Sequence, residues 1–231
     1  MQKHVPPIRS DSMSAKRLFV SIELPESVRQ RLAELNPRLR GVRWLEPQQM
    51  HLTLSFLGNV SSETQESLTE KLRAISWKSF FLPLVGLGTF PSKGWPKIVW
   101  IGVGTGHPHL FQLHKRVQEA VLAAGLEPDL RAFHPHITLA RCRDVSSQTI
   151  RPFLKVHADF DAGMIHVESF CLNSSELTPA GSVYTPGKRE HREEKHLERG
   201  DLDPARFDEP NDPVVLHAGI HHQHPEIADR H

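Results

Sequence analysis

The sequence predicts an α+β fold of two pseudo-symmetric lobes. Each lobe is expected to be a mainly antiparallel sheet with helices on its outer side, and an active cleft lies between the lobes. Segments that alternate apolar and polar residues intervene between segments of helical periodicity. A pattern of histidine, apolar residue, threonine and apolar residue occurs twice, at 51–54 and 136–139. Because each copy is preceded and followed by a helix-like segment, we expect the lobes to be related by an approximate two-fold axis.

The elements of the first lobe follow from periodicity and turn residues. Alternating apolar residues predict a strand at 17–23, and Pro25 opens a helix at a position where proline is tolerated. After a turn at Gly41, the strand at 51–57 carries the first repeat. A serine pair followed by Gln65 resembles a capping box and begins the next helix.

The second lobe is predicted in the same way. A loop that contains proline and glycine joins two strand patterns, and a long amphipathic helix then stops at Gly125. Pro135 must precede the strand of the second repeat, because proline cannot donate a hydrogen bond to the ladder. The other predicted elements are strands at 80–87, 98–103 and 164–172 and helices at 110–124 and 147–156.

Composition divides the chain of 231 residues unevenly. We expect a flexible leader at 1–16, a bilobal domain at 17–187 and a charged, histidine-rich, disordered tail at 188–231. The tail has 7 Lys or Arg against 11 Asp or Glu, which leaves 21 against 16 in the rest of the chain. The domain is therefore mildly basic, which suits an anionic ligand without identifying one.

Several classes of protein are excluded by what the sequence lacks. Cys142 and Cys171 are the only cysteines, too few for a disulfide framework or a four-thiolate zinc site. No apolar run approaches the length of about 18–20 residues that spans a membrane, and the amino terminus does not resemble a secretory signal. We expect a cytoplasmic monomer without a membrane partner.

The repeats carry groups that suit acid–base chemistry on a phosphate ester. Residues two apart on a strand share a face, so His51 is expected beside Thr53, and His136 beside Thr138. One imidazole can take a proton from water while the other gives a proton to the leaving oxygen, since a pKa near 6.5 allows both. The hydroxyls can donate to phosphate oxygens. This chemistry needs no metal ion or other cofactor.

Five segments of the chain, in this order, resemble a known family. They are RLFVSIELP at 17–25, VRW at 42–44, HLTLSFLG at 51–58, FHPHITLAR at 133–141 and ELTPAGSVY at 176–184. Together they resemble the RNA 2′,3′-cyclic phosphodiesterases, also called 2′-5′ RNA ligases, of the two-histidine phosphoesterase superfamily. The chain departs from the family after Tyr184, where relatives usually continue with an apolar final strand.

The resemblance implies hydrolysis of a terminal 2′,3′-cyclic phosphate, on RNA or a cyclic nucleotide, to a 2′-phosphomonoester. By analogy His51 is the general acid on the departing 3′ oxygen, and His136 is the general base on water. The sequence pattern itself is symmetric and does not assign these roles. The same site could join a cyclic end to a 5′-hydroxyl as a 2′-5′ bond.

The resemblance also implies substrate-binding residues beyond the two histidines. Thr53 and Thr138 would hold the phosphate, and Arg141 would contact it. An odd spacing from the histidine at 136 points Arg141 away from the cleft in a regular strand, so a bulge or the strand end must redirect it. His134, two positions before the same histidine, either shares its face and binds substrate or is an ordinary loop residue.

The sequence also allows other functions for the chain and other roles for some of its residues. The same fold could be an RNA-end or nucleotide binding module with little turnover. His134 and His136 could instead bind zinc, although no spacing nominates a third ligand. We expect Phe56 on the apolar side of its strand, and Trp44 and Trp100 in packing rather than in stacking on a base.

Overall fold

The computed structural model describes residues 15–105, 107–129, 131–178, 181–185 and 189–191. These residues contain ten strands and four α-helices. In chain order they are β1 Lys16–Glu23, α1 Glu26–Ala33, β2 Val42–Trp44, β3 His51–Val60, α2 Ser62–Arg73, β4 Phe80–Phe90, β5 Ile98–Gly102, α3 Pro108–Ala123, β6 His136–Cys142, α4 Ser147–Val156, β7 Asp161–Val167, β8 Ser169–Thr178, β9 Gly181–Thr185 and β10 Arg189–His191.

The strands form one antiparallel sheet with the order β10-β8-β1-β3-β6-β5-β4-β7, while β2 pairs with β6 and β9 pairs with β8. The predicted α+β class with antiparallel strands is confirmed. The sheet is continuous because Leu52 of β3 pairs with Ile137 of β6, a contact that we call the β3–β6 junction. The late strands β8 to β10 join the half of the sheet that contains β1 and β3, so the halves are not contiguous in sequence.

The hydrophobic core lies between the helices and one face of this sheet. Leu52, Leu54, Ile137 and Leu139 alternate with the repeat histidines and threonines, and all four are buried. The helix residues that share their core are Leu32 of α1, Leu68 and Leu72 of α2, Leu113, Val117 and Val121 of α3, and Ile150 and Phe153 of α4. The histidine and threonine side chains consequently point to the opposite face of the sheet.

Both repeat strands contain a β-bulge directly after the threonine. The register of β3 against β1 shifts after Thr53, and the register of β6 against β5 shifts after Thr138. Two consecutive residues are therefore buried in each strand, at 54–55 and 139–140. A bulge of this kind reverses the alternation of side chains, so residues beyond it change face.

Strand β10 lies inside the range that the sequence predicts as a disordered tail. Arg189–His191 pairs with Ser169–Cys171 of β8, although its sequence has no apolar alternation. A short edge strand needs only the open backbone groups of its neighbour, which a side-chain pattern does not report. The rest of the predicted tail, at 188 and 192–231, and residues 1–14 of the predicted leader lie outside the described residues.

Truncation of Ile137 at the junction tests the contribution of this contact. Ile137→Ala is expected to lower the free energy of unfolding by about 2–5 kcal/mol, because the fully buried side chain leaves a cavity. Urea denaturation measures this loss. Leu122→Ala is the matched control, since Leu122 is 63% exposed on α3, and we expect it to change stability by less than about 0.5 kcal/mol. Equal losses in the two variants would contradict the packing described here.

Candidate active site

The β3–β6 junction brings the two repeats together on one face. In the antiparallel register of that pair, His51 lies opposite Thr138 and Thr53 lies opposite His136. All four side chains are half-buried. Diagonal neighbours in such a pair are about 7–8 Å apart, which leaves room for one phosphate group between His51 and His136. The four groups thus form a compact cluster of two imidazoles and two hydroxyls.

His136 is held by a backbone contact and by aromatic rings. Its Nδ1–H donates to the His134 carbonyl at 2.6 Å, because a carbonyl can only accept. This leaves Nε2 of the neutral ring with a free lone pair. The rings of Phe90 and Trp100 lie 5.1 and 6.4 Å away. Burial lowers the pKa of His136, against the opposing effect of its hydrogen bond to His134.

His51 is positioned by a corresponding arrangement in the other repeat. The Phe19 ring stacks on the imidazole at a centroid distance of 4.9 Å. Burial lowers the pKa of His51 to about 4, although a hydrogen bond with the backbone of Gln49 favours the protonated form. Each histidine therefore contacts the backbone of the residue two positions before it. Both are predominantly neutral at neutral pH in the free protein.

The two bulges bring one further residue per repeat onto the histidine face. Arg141 is exposed there, which is compatible with the phosphate contact that the family resemblance implies. Phe56 occupies the corresponding position of the first repeat and is 56% exposed, so the expectation that it faces the core is wrong. The reason is the bulge, which no apolar alternation reveals. The bulge thus exposes the cationic side chain of Arg141 in the second repeat and the aromatic ring of Phe56 in the first.

A cleft of about 370 Å³ adjoins the cluster at the start of β6. Its walls include three of the predicted site residues, Thr53, His134 and His136. Phe56 and Phe133 give it aromatic surface. The other three predicted residues, at positions 51, 138 and 141, lie on the sheet face beyond these walls.

The far wall of the cleft contains residues to which sequence analysis assigns no role in the site. His114 of α3 stacks on Phe133 at a centroid distance of 3.9 Å, and burial lowers the pKa of His114. The Gln118 amide donates to His114 Nε2 at 3.2 Å and to Ser55 Oγ at 3.4 Å. The Asp129 N–H donates to Gln118 Oε1 at 3.2 Å. These contacts fasten the loop before β6 to α3, and no local sequence signal connects them.

An ion pair lies at the mouth of the same cleft. Arg131 contacts the Asp129 carboxylate through Nε at 2.9 Å and Nη2 at 2.6 Å. These hydrogen bonds lower the pKa of Asp129. The Arg131 side chain is 79% exposed, so solvent screens much of this interaction.

The tryptophans differ in their surroundings. Trp44 is buried and donates its Nε1–H to the Leu32 carbonyl at 3.1 Å, which agrees with the expected packing role. Trp100 is paired with Thr138 across the β5–β6 ladder and is half-buried beside the cluster. Its ring occupies the space above Gly88, where a Cβ atom would meet the indole at 2.3 Å.

Two further findings concern metals and membranes. Within the described residues, no group of three or more His, Cys, Asp or Glu side chains could hold a metal ion, so the zinc alternative for His134 and His136 finds no third ligand there. No α-helix in the described part of the chain is long and apolar enough to cross a membrane.

Comparison with known proteins gives one family and a set of named relatives. The LigT like Phosphoesterase family model matches residues 22–100 and 101–184. The RNA 2′,3′-cyclic phosphodiesterase of Archaeoglobus fulgidus is 31% identical over 171 residues, covering 73% of this chain and 96% of that protein. The protein of the same name from Thermus thermophilus is 36% identical over 187 residues, covering 73% and 86% respectively.

Solved structures agree with this comparison. The crystal structure of E. coli LigT complexed with 3′-AMP superposes with a TM-score of 0.65 at 28% identity. The alignment covers 78% of this chain and 99% of that one. The residues matched by the family model include both repeats, both bulges and the cleft.

Proposed function

Because the chain belongs to the LigT-like phosphoesterase family, we propose that it hydrolyses the terminal 2′,3′-cyclic phosphate of RNA, or of a cyclic nucleotide, to a 2′-phosphomonoester. The observation that carries this proposal is the β3–β6 junction, which sets two imidazoles and two hydroxyls around the space of one phosphate. The named relatives supply the substrate class.

In the proposed reaction, His136 acts as the general base. Its Nδ1–H is committed to the His134 carbonyl, so the free Nε2 can take a proton from the attacking water. The water oxygen forms a new bond to phosphorus as the bond from phosphorus to the 3′ oxygen breaks. Thr53 and Thr138 donate to the non-bridging oxygens, where negative charge builds up.

His51 acts as the general acid and gives its proton to the departing 3′ oxygen. Glu23 lies opposite His51 across the β1–β3 ladder, whereas Gly102 lies opposite His136. Burial and the backbone of Gln49, rather than Glu23, set the pKa of His51, so the assignment of His51 as the acid rests on the resemblance to the family. The low pKa of His51 in the free protein is a consequence of burial, and a bound phosphate anion would raise it.

The remaining groups of the site suit the rest of a nucleotide. Arg141 can neutralise a phosphate oxygen, and the exposed ring of Phe56 offers a surface on which a base can stack. Beside it, the cleft has the aromatic and polar lining typical of small-molecule sites. With a 5′-hydroxyl in place of water, the same steps would form a 2′-5′ phosphodiester bond.

One observation favours the alternative of a binding module with little turnover. The pKa values of both histidines are lowered, so the free protein has little of the imidazolium form that a general acid requires. The two functions differ in turnover, because a binding module would form little or no product from a cyclic phosphate.

Replacement of either histidine tests the acid–base scheme. With EDTA present, the wild type should open a nucleoside 2′,3′-cyclic phosphate to the 2′-phosphate alone. His51→Ala and His136→Ala should each lower kcat by about 10²–10⁴, the usual contribution of one positioned acid or base. His166→Ala, on the edge strand β7, is the control and should retain activity. Formation of the 3′-phosphate, or undiminished turnover in both variants, would defeat the mechanism.

The pH dependence of kcat/KM provides a second test. One imidazole must be neutral and the other charged, so the profile should be bell-shaped and should report the coupled pair in the free enzyme. Because the pKa values of His51 and His136 both lie below the ordinary 6.5, the optimum is expected below about pH 6.5. Initial rates at low substrate concentration measure the profile. The rates must extend below about pH 4 to include the acid limb, because the pKa of His51 is about 4. A profile without an acid limb even there would count against two-histidine catalysis.

A further inference from the structure

We infer that Arg43, Arg141 and Arg143 form a cationic track that binds the phosphodiester backbone of the RNA strand leading to the cyclic end. The inference rests on the proposed function, and it narrows the preferred substrate from a mononucleotide to an oligonucleotide. The register of β2 against β6 brings these arginines together.

Arg43 and Arg141 are direct neighbours on the site face of the sheet. They are paired across the β2–β6 ladder, and both are exposed. The flanking pairs are Val42 with Cys142 and Trp44 with Ala140, which all face the core side. The two guanidinium groups therefore project from the same face as the catalytic cluster.

Arg143 continues the row by one further step. Its N–H donates to the Gly41 carbonyl at 2.8 Å, which extends the same antiparallel register beyond the ends of both strands. Arg143 is exposed, and it lies two residues beyond Arg141, on the same face of the extended chain. Residues so spaced are about 6.6–6.8 Å apart along a strand.

Three arginines share this small area of the site face. A polyanion along the row could contact several of their guanidinium groups at once.

The position of the track relative to the cleft indicates how an RNA strand would lie on the site face. The cleft adjoins the first residue of β6, His136, whereas the arginines lie at and just beyond its last residues. The proposed phosphate position is between these two places. A terminal nucleotide can thus direct its base into the cleft while the preceding phosphates follow Arg141 toward Arg43 and Arg143.

Salt-dependent RNA binding tests the track independently of turnover. The probe is a fluorescent single-stranded oligoribonucleotide with a 2′-phosphate end, and its Kd is measured by anisotropy at several salt concentrations. Arg43→Gln and Arg143→Gln should each weaken binding about tenfold, the loss of one charge-assisted contact. Each should also reduce the slope of log K against log salt by about 0.7, the value for one phosphate on a single strand. Arg43→Lys should restore much of the salt slope.

Arg151→Gln is the matched control. This substitution removes the same charge, but Arg151 is exposed on α4, on the other side of the core from the site face. In turnover, the ratio of kcat/KM for a cyclic-ended oligonucleotide to that for uridine 2′,3′-cyclic phosphate should fall about tenfold in the track variants alone. Wild-type affinity and slope in both track variants would overturn the inference, as would equal losses in Arg151→Gln. Circular dichroism identifies a variant that does not fold, and the RNA affinity of the other variant then tests the track. If the wild type hydrolyses neither substrate, the proposed function is wrong, while the binding measurements still test the track independently.

Discussion

The site depends on one antiparallel contact between two strands that are far apart in sequence. Leu52 and Ile137 pair at the junction of the two halves of the sheet, and both side chains are fully buried. Because side chains alternate along a strand, burial of this pair turns the flanking histidines and threonines to the opposite face. A one-residue slip in register would move all of these groups into the core. The hydrophobic packing on one face of the sheet therefore maintains the arrangement of the histidine and threonine side chains on the other face.

The two repeats share a backbone arrangement but present different side chains. Both repeat strands have a bulge at the same place, yet the residue it presents is Phe56 in one and Arg141 in the other. Each histidine is contacted by backbone two residues earlier, yet His51 lies opposite Glu23 and His136 lies opposite Gly102. Burial lowers the pKa of both imidazoles. The differences between the repeats, more than their similarity, give the proposed substrate an orientation.

The sequence predicted the parts that depend on local pattern. The repeats, the alternation of their strands and the helices around them follow from periods of two and of 3.6 residues. Phe56 was placed wrongly because a bulge depends on the partner strand. The contacts of Gln118 with Ser55 and Asp129 join segments remote in sequence, and the pairing of Arg43 with Arg141 depends on strand order. The register between strands that are remote in the chain depends on tertiary packing, which the local pattern of a single sequence does not report.

A crystal structure with uridine vanadate, which imitates the five-coordinate phosphorus, would show whether both repeats converge on one phosphorus atom. We expect the His51 and His136 rings to contact the two apical oxygens from opposite sides, while Thr53 and Thr138 donate to equatorial oxygens. Vanadate bound elsewhere, or contacted by only one imidazole, would contradict the convergence of both repeats on a single phosphorus atom.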